Sequence, residues 1–413
     1  MASTSKLWVG IDWSTELHQV CVLRENGAKL CERAVRHAPE SLAEMCAWLA
    51  QLGCEESASV HVAIEVPHGP VVEVLLERGF AVYSINPKQV DRFRDRFSPS
   101  GAKDDRRDAL VLADSLRTDM RAFRAIKPDS PWIIELREYS RMHEDLVHER
   151  TRITNRLREQ LRRYYPAFLA CFSDPGESVA LDLLKVVPTP ELARKARTAK
   201  IASILTARRI RRIGPEEVLA KLREASFVVA PGTVEAAVAH VQLLVQRLEL
   251  ISSQVALVKH ELERCLESAG SSGPDAEVEQ RDVEIMLSMP GVGTIVGAAL
   301  LADAWRLLRA RDYHGLRALC GIAPVTKCSG KKHIVSMRKS CHLGLRNAIY
   351  HLARVASQRD PASAERYSAM RARGHGHARA LRTIGDRCLN VLCAMLRDGT
   401  TWRPRDPDAA TAA

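Results

Sequence analysis

Short apolar runs of strand length open the chain. Residues 7–12 (Leu-Trp-Val-Gly-Ile-Asp) and 19–23 (Gln-Val-Cys-Val-Leu) predict two strands; a turn at Glu25-Asn26-Gly27 follows, and residues 28–36 complete a meander. Leu42, Met45, Cys46 and Leu49 fall at helical spacing, which predicts a helix over 41–51 with Ser41 as its N-cap. A fourth strand is expected at 61–65, a helix at 71–78, a fifth strand at 81–85 and a helix from 104 to 117. The order β-β-β-α-β-α-β-α predicts a mixed α/β sheet in one domain, residues 1–127, with strands one and four as neighbours.

The period changes after Pro128 and Pro131. Leu136, Met142, Leu146, Ile153, Leu157 and Leu161 line one face of a long charged helix that stops before Pro166. Val234, Val238, Val241, Val245, Leu248, Val255 and Leu262 form a matching seam, so the two segments read as arms of an antiparallel coiled coil within residues 128–273. A helical insert is expected between them at 170–231, with a basic run at Arg208-Arg209-Ile210-Arg211-Arg212 as a candidate nucleic-acid contact. A helical C-terminal domain is expected over 280–400, and a disordered tail over 401–413.

Composition narrows the classes. With 413 residues, 46% hydrophobic and 27% charged, the chain is neither mainly disordered nor collagen-like. No run approaches the 18 or so apolar residues of a membrane helix, and the start lacks a signal-peptide pattern, so no membrane and a cytoplasmic, nucleoid-associated location are expected. The eleven cysteines form no C-x-x-C pair, which favours reduced core thiols over a structural zinc. The formal charge is +11, and residues 301–413 alone hold 21 Lys and Arg against 8 Asp and Glu. So concentrated a positive field calls for a polyanion, nucleic acid first. Aromatic residues make up only 5%, so phosphate contact rather than base stacking is the expected mode.

Candidate chemistry begins with four acids. Asp12 closes the first strand and Glu65 the fourth; Asp105 and Asp108 lie three apart on one face of the helix that follows. The element order is that of the ribonuclease H-like fold, an analogy that fixes no function by itself. Four carboxylates converging would repel unless a cation held them, and hard oxygen ligands suit Mg²⁺, with Mn²⁺ able to substitute. Two such ions serve phosphodiester chemistry. Asp104 is an alternative third ligand. Taken singly, each acid also reads as a turn residue or as a partner of the helix macrodipole.

The C-terminal region carries two more motifs. Met289-Pro290-Gly291-Val292-Gly293 between two helices reads as a helix-hairpin-helix turn, in which Gly291 and Gly293 leave backbone N–H groups for a phosphate, or as tight helix packing. Further on, Ser329 is expected in a loop, followed by Gly330, Lys331 and Lys332, then by Arg338 and Lys339. A serine needs a base, a metal or local positive charge to act as a nucleophile, and a loop serine between lysines is more often a phosphate contact. His333 is near in sequence, a weak candidate for the base.

Gly10-Ile11-Asp12, Ile64-Glu65, Ile85-Asn86-Pro87 and Ala102-Lys103-Asp104-Asp105-Arg106-Arg107-Asp108-Ala109 resemble the DEDD transposases of bacterial insertion sequences. Met289 to Gly293, Gly321-Ile322-Ala323-Pro324, Ser329-Gly330 and Leu345-Arg346 extend the resemblance to the "IS one-ten" family over residues 7–398. The resemblance implies a RuvC-like N-terminal domain whose Asp12, Glu65, Asp105 and Asp108 bind Mg²⁺. It also implies a C-terminal transposase domain whose Ser329 forms a covalent phosphoserine link to DNA. Further implications are a bridge RNA that pairs with donor and target DNA, and dimers assembling to a tetramer with composite sites. Two other classes fit the same residues: a hydrolytic RuvC-like junction nuclease without a covalent intermediate, and an inactive nucleic-acid-binding scaffold.

Overall fold

The structure is a computed structural model that describes residues 6–53, 57–85, 87–97, 104–127, 129–224, 227, 229–230, 232–269, 276–330 and 332–404. It divides into two compact units, residues 1–129 and 130–413.

The first unit is a mixed sheet between helices. Its strands are β1 (Leu7–Asp12), β2 (Leu17–Leu23), β3 (Lys29–Arg36), β4 (Val60–Ile64), β5 (Ala81–Ser84) and β6 (Arg124–Ala125), in the spatial order β3-β2-β1-β4-β5-β6. The meander pairs antiparallel, whereas β1–β4 and β4–β5 pair parallel, so strands one and four are neighbours as expected. Alternation along β1 sets the layers. Leu7, Val9 and Ile11 pack with α1 (Pro39–Leu52) and α2 (Pro70–Glu77). Trp8 and Ala63 face the other way, onto Ala109, Leu112 and Ala113 of α4 (Asp105–Thr118).

Two local details differ from the sequence reading. Helix α1 begins at Pro39, not at Ser41, and Ala38 stands at its N-cap without a side-chain bond; a proline at the first helical position has no N–H to leave unpaired. An unpredicted helix, α3 (Pro87–Phe97), precedes α4, because its charged sequence Pro-Lys-Gln-Val-Asp-Arg-Phe-Arg-Asp-Arg-Phe carries few apolar positions for a periodic signal.

The second unit has two hydrophobic cores. Helices α5 (Pro131–Tyr164) and α11 (Thr233–Glu267) pair along their length as the expected arms. Between them lie α6 (Pro166–Cys171), α7 (Ser178–Val186), α8 (Pro190–Lys195), α9 (Thr198–Ala207) and α10 (Pro215–Leu222). This helical insert packs Phe168, Leu183, Ile201 and Leu219 onto Leu157, Leu161, Val245 and Leu248 of the arms. The expected seam packs into the two cores except at Met142, which is exposed, and Leu146, which is half-buried and in neither core. Helix α11 is long and apolar enough to cross a membrane by length and composition alone, but its seam faces α5 and the insert.

The other core joins the roots of the arms to the C-terminal helices α12 (Ala276–Ser288), α13 (Thr294–Arg309), α14 (Tyr313–Leu319), α15 (Leu343–Arg359), α16 (Pro361–Ala372) and α17 (His377–Asp398). Trp132 and Leu136 from α5 and Leu262 and Leu266 from α11 sit in it, so the arms grow out of the C-terminal core. This region is not wholly helical: β7 (Val325–Ser329) and β8 (Lys332–Ser336) form an antiparallel hairpin. Nor does the expected tail begin at 401, since Trp402 packs on the core and its N–H donates to Ser288 Oγ at 2.8 Å. Residues 405–413 of that tail lie outside the described residues.

Candidate functional site

Strand pairing brings the first acids together. Ile11 is the Cα partner of Ile64, so Asp12 and Glu65 stand next to each other, one residue further along two parallel strands. By alternation both belong to the face that carries Gly10 and Ala63, the face covered by α4. Gly10 sets how near α4 comes: a Cβ there would lie 2.0 Å from Ala109 O and 2.6 Å from Ala113 N. Asp108, immediately before Ala109, is held against this end of the sheet and is buried at 3% exposure.

The buried carboxylate of Asp108 has a cation. Arg94 of α3 donates from Nε to Asp108 Oδ1 at 2.7 Å and from Nη1 to Asp91 Oδ1 at 2.8 Å. Against the cost of burial, its bond to Asp108 and the charges of Asp108, Asp91 and Glu65 strengthen the hold of Arg94 on its proton. Arg94 is thus ion-paired to Asp108 and Asp91, and the charge of Glu65 acts on the same guanidinium. Sequence reading overlooked Arg94, since one arginine among six charged residues of α3 carries no signal of its own.

Asp104 and Asp105 have separate roles at the start of α4. Asp104 is the N-cap, its Oδ1 accepting from Arg106 N at 3.2 Å. Asp105 opens the helix, exposed and one turn from Asp108 on the same face. Among the described residues no three acid, His or Cys side chains are already gathered to metal-binding distance. The donor chemistry nevertheless fits a divalent cation: hard oxygens at one end of the sheet, with a positive charge already balancing the buried one.

Ser329 ends β7 in the second unit, exposed at the tip of the hairpin. Its Cα partner is Lys332, which is Lys332's first position in β8, and Gly330 makes the turn at φ +54°. The expected loop is thus a tight hairpin tip. Cys328 pairs with His333, and their side chains meet at 3.1 Å (Sγ to Nε2). Alternation puts that pair on the face opposite Ser329, so His333 is not placed to serve it as a base. Lys331 lies outside the described residues. At the hairpin root Arg338 Nε donates to Ala323 O at 3.3 Å, and Lys339 is exposed.

The turn between α12 and α13 uses its glycines differently. Gly291 has φ +94°, and a Cβ there would come within 3.0 Å of Leu352, so it serves close packing on α15. Gly293, the N-cap of α13, is exposed with nothing near its missing Cβ. Within the insert, Arg208 and Arg212 of the basic run are engaged by Asp182 at 2.6 Å and Glu177 at 2.7 Å.

A transposase family model of the DEDD, IS110 type matches residues 9–166, the stretch holding Asp12, Glu65, Asp105 and Asp108. A second, described as transposase of the IS116/IS110/IS902 family, matches residues 283–368, which hold the glycine turn and the Ser329 hairpin. The putative transposase y4uE of Sinorhizobium fredii is 54% identical over 213 residues, 51% of this chain and 59% of that protein. The mini-circle putative transposase for IS117 of Streptomyces coelicolor is 33% identical over 393 residues, 94% of this chain and 92% of the relative. The 42 kDa protein of insertion element IS900 from Mycobacterium paratuberculosis is 28% identical over 416 residues, 98% and 99% of the two chains. Matched from end to end by relatives of this kind and in both units by their family models, the chain belongs to the IS110/IS116/IS902 family of transposases.

Proposed function

We propose that this protein cuts and rejoins DNA at an insertion-sequence junction and its target, guided by a non-coding RNA, with Ser329 as nucleophile. The reading is carried by one observation. Each family-matched segment presents one half of a strand-transfer chemistry: Asp12, Glu65 and Asp108 at one end of a sheet, and an exposed serine at a hairpin tip. Asp12, Glu65, Asp105 and Asp108 would hold Mg²⁺, which supplies charge neutralisation at the phosphate when bound. Ser329 Oγ attacks phosphorus, loses its proton and replaces one backbone oxygen, which leaves as the hydroxyl of the cut strand. Lys332 across the hairpin, with Lys331, Arg338 and Lys339, grips the strand by its phosphates. In this reading the N-terminal sheet is a RuvC-like, ribonuclease H-like domain.

The acids and the serine would meet between copies of the chain. Leu243, Leu250 and Leu257 support this, because they recur every seven residues on α11 and stand 60–64% exposed, a seam for a second copy. Cytoplasmic action at the nucleoid follows from the same partners.

The test combines the full protein, labelled junction DNA, RNA transcribed from the flanking non-coding segment, and Mg²⁺. Strand exchange that requires the RNA, and that is lost in Asp12→Ala and in Ser329→Ala, is expected. Exchange without RNA, or Ser329→Ala cutting like wild type, would overturn the reading in favour of a hydrolytic nuclease.

A further inference from the structure

Below the Ser329 hairpin, where β7 and β8 join the helices, lies a cleft of about 210 Å³. Its polar lining comes from Arg346, Asn347 and Tyr350 on α15 and from Arg382 on α17, over a floor that includes Ile349. None of the described residues lining it is acidic.

Among the described residues, neither guanidinium is held by a carboxylate. Arg346 Nη2 donates to Arg338 O at 2.6 Å, at the hairpin root, while its Nε is buried and has no hydrogen-bond partner among the described residues. Gly321 at φ +68° makes the room, because a Cβ there would stand 2.8 Å from Arg346 Nη2. Among the described residues, Arg382 Nη2 reaches only the thioether of Met337, at 3.0 Å, a weak acceptor for so strong a donor. By contrast, Arg311 is paired with Asp282 at 2.8 Å and Arg317 with Asp386 at 2.6 Å. A buried donor left without an acceptor is costly, and a low-dielectric floor magnifies the attraction for whatever anion supplies one.

The neighbouring turn does not compete for this role. Near the N-terminus of α13, Thr294 Oγ1 donates to Glu263 Oε1 at 3.3 Å, so an acid already stands at that helix end.

We infer that this cleft is a subsite for one backbone phosphate of the DNA strand that Ser329 attacks. The Arg382 guanidinium would donate to its non-bridging oxygens, with Asn347 as a further donor and the charge of Arg346 behind them in the lining. The inference rests on the proposed role of Ser329 for its register. Strand β7 is five residues long, so the cleft lies about 15 Å from the tip at about 3.3 Å per residue. A strand running along the hairpin would place the gripped phosphate a few nucleotides from the attacked bond. The subsite thus fixes which phosphate reaches the tip without reading sequence.

The test scans a fluorescent junction duplex with a single methylphosphonate at successive positions, each removing one backbone charge. Binding is measured with full-length protein carrying Ser329→Ala, alone and combined with Arg382→Ala. One position at which the neutral linkage weakens binding is expected, with no further weakening there when Arg382 is absent. Arg382→Ala should also lower the slope of log affinity against log salt by about 0.9, the value of one phosphate contact. Should Arg382→Ala fold poorly, Asn347→Ala, an exposed change, gives the same methylphosphonate comparison without a change of slope, and Arg382→Lys should keep the slope.

An unchanged slope, or losses from Arg382→Ala that add to every methylphosphonate alike, would overturn the inference. So would a sensitive linkage found only when the same scan is made in the RNA. Because the scan reads binding and not cutting, an inert Ser329 would sink the proposed mechanism without altering this result.

Discussion

Gly10→Ala should disable the protein from a position that carries no chemistry. The added methyl would sit 2.0 Å from Ala109 O and 2.6 Å from Ala113 N, where ordinary contact begins at 3.4 Å. Both neighbours are backbone atoms of α4, so no side chain can rotate away, and the helix must retreat by about 1 Å or more. Overpacking of this kind costs about 1–3 kcal/mol, and the backbone contacts place this case near the upper end. A domain of this size loses about 4 °C per kcal/mol, so the first unit should melt about 8–12 °C earlier. The retreat also carries Asp108 away from Asp12 and Glu65. A displacement of about 1 Å in a reacting constellation is worth about 100-fold in rate. Calorimetry and a strand-cleavage assay with purified protein would read both effects, below the new melting temperature. Gly293→Ala, where nothing lies within 4 Å, serves as the control and should shift neither by much. A Gly10→Ala protein with wild-type melting and cleavage would refute the argument that this glycine sets the approach of α4.

Three further outcomes are expected. Arg94→Ala leaves the buried Asp108 carboxylate without its ion pair and should destabilise the metal-free first unit by about 1–3 kcal/mol, reduced because Arg94 itself is partly exposed; Mn²⁺ should restore more of its melting temperature than of wild type, and identical shifts would count against the acids as a cation site. Burial, and secondarily His37, lowers the pKa of His18 below 6.5, so above that pH the residue is neutral folded or unfolded; as pH falls the unfolded chain takes the proton first, and stability should decline from about pH 6.5 downward, less steeply in His18→Asn, whereas equal slopes in denaturant titrations would contradict this. Leu250→Glu in the exposed seam of α11 should lower the mass measured by light scattering without changing the helical content, and an unaltered mass would mean the stripe joins no second copy.

Much of the first unit was legible because its strands are short apolar runs and its order admits few sheets. The β1–β4 neighbourhood, and with it the meeting of Asp12 and Glu65, followed from that order alone. The coiled coil was equally plain, since a periodic seam needs only its own spacing. What escaped has a common cause. Helix α3 and its Arg94 have little apolar periodicity, and the ion pair with Asp108 depends on contacts fourteen residues apart. The Ser329 hairpin looked like a loop, because Val325-Thr326-Lys327-Cys328-Ser329 lacks apolar alternation, and Thr326, Cys328 and Ser329 are exposed. Arg346 and Arg382 become a pair only through the packing of α15 against α17. The thiols were read correctly in kind. Cys21, Cys46, Cys320 and Cys388 are buried, and burial pushes them up to about 11, 11, 12 and 12, which fits packing rather than reactivity.

The central claim is that Ser329 forms a covalent bond to DNA. Full-length protein incubated with junction DNA, the flanking RNA and Mg²⁺, then denatured and digested, should yield a peptide carrying a nucleotide remnant on Ser329, seen by mass spectrometry. That peptide should vanish in Ser329→Ala and in Asp12→Ala. Cut DNA with no modified peptide, at equal yield in Ser329→Ala, would contradict the account and leave the serine a phosphate contact.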